Sequence, residues 1–198
     1  MYDSYGPARS PAELFLDYSF VDDYPEHKAR ANLPASVLGP LPQPNAALLA
    51  EVGLPQHAAT AVFSPDGPGD GVLAWARAAC ATPEELRRAG WASQPSQRGG
   101  RASQASRLAH VAMASFAERV GGANERAAVG MLLQACSSQL AAQDLARAEV
   151  DPAAQDAALA RTGVAGAAAL RAVESERAAL MGSVEVLKAM LAKVVSRP

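Results

Sequence analysis

Apolar residues recur every three or four positions over most of the chain from residue 70 onward. This spacing lays a stripe along one side of an α-helix. Val72, Leu73, Ala76 and Cys80 make the first such stripe, with Trp75 near its edge. Thr82-Pro83-Glu84-Glu85 reads as a fresh helix start, with a hydroxyl to cap, a proline for the first turn and an acid able to reach back. A further helix is expected from about Ser106 to Val120, ended by Gly121-Gly122. Val129, Leu132, Leu133, Cys136 and Leu140 predict a long one beginning near Asn124. Asp151-Pro152 opens a shorter helix. Val173, Leu180, Val184, Leu187, Leu191 and Val194 then predict a seam along a last helix from Val164 to Val195. Such a seam packs against neighbouring helices of its own domain. Arg177 interrupts it, which disfavours a coiled-coil dimer, and a monomer is expected.

The first half reads differently. Ser10 can cap a short helix, Pro11 fits its first turn and Glu13 can close a capping box, placing Leu14 and Tyr18 on one face. Residues 25–45 carry Pro25, Pro34, Pro40, Pro42 and Pro44, so an extended connector is expected there. Asn45 then caps a short helix with Leu48, Leu49 and Val52. Ala59 to Phe63 predicts one short strand, and Pro65-Asp66-Gly67-Pro68-Gly69 a turn. Residues 92–106, rich in Ser, Gln, Gly and Arg, read as a solvated loop.

Composition narrows this picture to a mainly α protein. The 198 residues suffice for one domain with a sizeable core, and 49% of them are hydrophobic. Only 5% are aromatic, so much of the apolar content is alanine, which favours closely packed helices. A net charge of −2 leaves no basic footprint for nucleic acid or an anionic membrane. That balance also turns Arg98-Gly99-Gly100-Arg101 into a solvated loop rather than an RNA contact. No apolar run reaches the length of a membrane span, and the acidic, aromatic start resembles no targeting peptide. Cys80 and Cys136 fall among apolar helical positions and read as small buried hydrophobes. His27, His57 and His110 have no carboxylate or cysteine at ligand spacing, so no metal site is expected. Neither Gly99-Gly100 nor Gly121-Gly122 follows a strand, so neither reads as a phosphate-binding loop.

One block points to specific chemistry. Tyr5-Gly6-Pro7, Ser10-Pro11-Ala12-Glu13-Leu14 and Leu16-Asp17-Tyr18-Ser19-Phe20-Val21 resemble the closing segment of the SET domain in protein-lysine methyltransferases of the Rubisco large-subunit methyltransferase type. In that family a strand ends in Tyr-Gly, a serine-led helix follows, and Leu-Asp-Tyr-Gly-Phe-Val completes the segment; here Ser19 replaces the glycine. The helical half is similar to the family's substrate-binding domain through Asn124-Glu125, Leu133-Gln134-Ala135-Cys136 and Arg171-Ala172-Val173-Glu174.

The resemblance implies an order of parts: residues 1–24 as the end of a SET domain, 25–45 as a linker, and 46–198 as a helical substrate-binding domain. It implies methyl transfer from S-adenosylmethionine to a lysine of a protein substrate. Tyr5 takes the place of the catalytic tyrosine, Tyr18 that of the tyrosine lining the lysine channel, and Phe20 an apolar wall on the cofactor side. A tyrosine hydroxyl suits that channel because it accepts hydrogen bonds from an amine without bringing a full charge. The family's glycine-rich opening and Asn-His segment, which hold the cofactor, do not occur in these 198 residues. The chain is therefore expected to be the C-terminal part of a larger enzyme and inactive alone; the sequence leaves the compartment open between chloroplast and cytoplasm. The rival reading is a helical interaction module that keeps a degenerate SET fragment and catalyses nothing.

Overall fold

The computed structural model describes residues 29–33, 38, 61–88, 116–117 and 119–195. They form a mostly helical protein with one small antiparallel sheet, as the apolar spacing implies. The sheet has the order β1 (Ala31–Leu33), β2 (Ala61–Ser64), β3 (Gly67–Pro68). Ala31 faces Phe63 and Leu33 faces Ala61, so alternate residues of β1 and β2 turn into the core. The strand expected at Ala59–Phe63 is thus found slightly later. Part of the proline-rich segment read as a connector is its hydrogen-bonded neighbour.

The turn at Pro65-Asp66 is as expected, but Gly67 and Pro68 continue past it as strand. Proline presets the backbone angle for the first turn position. Gly67 then takes a φ of 120°, a conformation that side chains oppose. The Ser64 hydroxyl donates to the Gly67 carbonyl at 3.0 Å and closes the hairpin.

Five helices follow among the described residues: α1 (Asp70–Ala79), α2 (Pro83–Arg88), α3 (Gly122–Ala148), α4 (Pro152–Thr162) and α5 (Val164–Val195). The start of α2 is the capping box read from its sequence. The Glu85 carboxylate accepts from the Thr82 backbone N–H and hydroxyl, while the Thr82 hydroxyl accepts from the Glu85 N–H. Asp151 caps α4 by accepting from the Ala153 N–H at 3.0 Å. Gly163, at a φ of 55°, divides α4 from α5.

One core joins the sheet to α1, α3 and α5. Phe63, Val129, Leu132, Cys136, Leu180 and Leu187 are fully buried in it. The hairpin turn rests directly on α5. The Ser183 hydroxyl donates to the Ser64 carbonyl at 2.6 Å. A Cβ placed on Gly182 would lie 2.5 Å from the Pro65 Cα, closer than any side chain allows. Ser183 itself is fully buried, its hydroxyl satisfied by that one bond.

The expected seam of α5 holds along Leu180, Val184, Leu187 and Val194, but not at Val173, which is 45% exposed. The reason lies in the partner. Around Val173 the element alongside α5 is the outer part of α3. There α5 meets it through alanines, with Ala168 and Ala172 buried. Ion pairs from Asp144 to Arg177 (2.7 Å) and from Arg147 to Glu174 (3.8 Å) show the two helices running antiparallel. The Arg177 contact is close in distance but not aligned as a hydrogen bond. These outer halves form an arm. At its tip α4 buries none of its residues, and Leu145, Val150 and Val164 stand exposed. No described helix is long and apolar enough to cross a membrane.

Candidate functional site

The most organised polar cluster among the described residues surrounds Arg77. Its guanidinium grips the Glu125 carboxylate with two parallel bonds, Nε to Oε2 at 2.6 Å and Nη2 to Oε1 at 2.7 Å. Its remaining nitrogen, Nη1, donates to the carbonyls of Phe116 at 3.2 Å and Ala117 at 2.5 Å. Asn124 completes the link by donating from Nδ2 to the Arg77 carbonyl at 2.8 Å. Arg77 is 6% exposed and Glu125 4%, so water screens neither charge effectively.

Local structure explains why these residues meet. Arg77 lies in the last turn of α1, where a positive charge faces the negative end of the helix dipole. Glu125 lies in the first turn of α3, where a negative charge faces the positive end. The N-cap position of α3 is Gly121, which has no side chain to satisfy the first amides. Each charge thus offsets the dipole of its own helix as well as its partner. A buried pair formed by bidentate geometry fixes orientation more than it adds net stability.

The cluster ties four places together: the end of α1, the start of α3, and the two carbonyls just before it. Those carbonyls close the stretch between α2 and α3. Chemically, the arrangement is a clamp. Every nitrogen of the guanidinium already has a protein partner, so the arginine holds backbone in place. Two buried polar atoms nearby in sequence have no hydrogen-bond partner, Trp75 Nε1 and Asn124 Oδ1.

Sequence reasoning missed Arg77, because the stripe of Val72, Leu73, Ala76 and Cys80 drew attention to the apolar side of α1. The available signal was an arginine set among alanines with no acidic residue three or four positions away. Asn124 and Glu125 were singled out, but through family resemblance and not as partners of that arginine.

Both cysteines are free thiols. Burial pushes the Cys136 thiol up to about 12, and raises that of the half-buried Cys80 as well. Cys136 fits the small-hydrophobe reading, packed beside Leu132 and Val129; Cys80 only borders the core. No group of three histidine, cysteine or acidic side chains among the described residues stands where it could hold a metal ion.

Tyr5, Tyr18 and Phe20 lie outside the described residues, as do the expected helices at 10–18, 45–53 and most of 106–120, the loop 92–106, and the three histidines. No protein-family model matches the chain, and no curated protein matches it.

Proposed function

We propose that the chain is the C-terminal part of an S-adenosylmethionine-dependent protein-lysine N-methyltransferase, and that its helical body binds the protein substrate. The observation that carries this reading is the order of parts along the chain. A SET-like tyrosine block at residues 5–21 precedes a helical body, and Asn124-Glu125, the pair that the resemblance picks out, sits at the clamp organising that body. A substrate-binding body needs a surface held in fixed relation to the catalytic part. The Arg77 clamp supplies such rigidity by fixing the stretch before α3 to the end of α1.

Under this reading Tyr5 accepts a hydrogen bond from the target lysine amine, Tyr18 lines the channel and Phe20 walls the cofactor side. S-adenosylmethionine supplies the methyl group when bound. An Asn-His pair does not occur in the sequence, and the described glycine turn at Gly67 packs on Val186 of α5, leaving no cradle there for a nucleoside. The groups that would hold the cofactor are therefore sought outside the described residues.

Two measurements test the proposal. The transcript upstream of Met1 is expected to continue in frame into a glycine-rich opening and an Asn-His segment. A stop codon directly upstream would overturn the enzyme reading and leave the helical interaction module. The chain alone is expected to give no heat of binding when titrated with S-adenosylmethionine; stoichiometric binding would show that the chain holds the cofactor without an upstream domain.

A further inference from the structure

No further inference is drawn: the strongest candidate, the exposed apolar tip of the α3–α5 arm around Leu145, Val150 and Val164, is an uncovered helical surface, and nothing in the structure shows what covers it.

Discussion

Arg77 and Glu125 show how one pair of side chains can set the geometry of a helical body. Removing either partner strands a buried charge, and such losses cost about 3–5 kcal/mol. Arg77→Met and Glu125→Leu are each expected to lower the unfolding free energy in urea by about that much. The double variant, with no charge left to strand, should recover a large part of the loss. Additive losses in the double variant would contradict the clamp. Cys136 gives a second test at this scale. With its thiol pushed up to about 12, only about one molecule in ten thousand carries the reactive thiolate at about pH 8. Native protein treated with iodoacetamide should remain unmodified at Cys136 by mass spectrometry, while the denatured chain reacts. Rapid native labelling would show that the thiol is not buried as described. Arg77 was hard to read because charged side chains usually mark a helix's solvated face. Its setting among alanines hints at burial, but local sequence does not name a partner that lies 48 positions later.

Among the elements, the seat of the β2–β3 hairpin on α5 depends on the absence of one methyl group. Gly182→Ala must push Pro65 away, and overpacking of this kind costs about 1–3 kcal/mol. Gly71, with open space around it, is the control. Gly71→Ala in α1 should be neutral or slightly stabilising, since alanine suits a helix better. Equal effects at the two sites would remove the steric account. The arm carries a pH signature. Burial raises the pKa of Glu176, so the folded protein holds that proton more tightly than the unfolded chain. Stability then falls as pH rises from the ordinary carboxylate range through the raised value. Glu176→Gln should therefore be more stable than wild type at neutral pH, with the gain shrinking as pH drops to the ordinary range. A gain that grew on acidification would contradict the assigned direction.

Element boundaries were legible where local chemistry decides them. The Thr82–Glu85 box, the Asp151 cap and the span of α5 all follow from residues adjacent in sequence. Val173 was misread because its exposure depends on what lies opposite. The spacing continues there, but Ala168 and Ala172 are the buried residues of that stretch. The pairing of β1 with β2 was equally hidden, since a three-residue strand bordered by proline carries little pattern of its own.

At the scale of the whole molecule, the described body and the tyrosine block of the sequence carry different kinds of signal. The described body is built from alanine-rich helices over a small sheet, with its polar interior committed to holding itself together. The chemistry proposed for it rests on the tyrosine block at residues 5–21, whose signal is residue type and spacing rather than amphipathic pattern. The body's fold class was therefore readable from hydrophobic spacing, whereas its role is not, because helices of this composition serve many purposes. The most direct measurement is methyl transfer from isotope-labelled S-adenosylmethionine to protein lysines, using the protein translated from the complete transcript. The account predicts transfer by the wild type and a loss of at least about a hundredfold in Tyr5→Phe with folding unchanged. Unchanged turnover in Tyr5→Phe, or no transfer by the wild type to any lysine of a whole-cell protein extract, would contradict it.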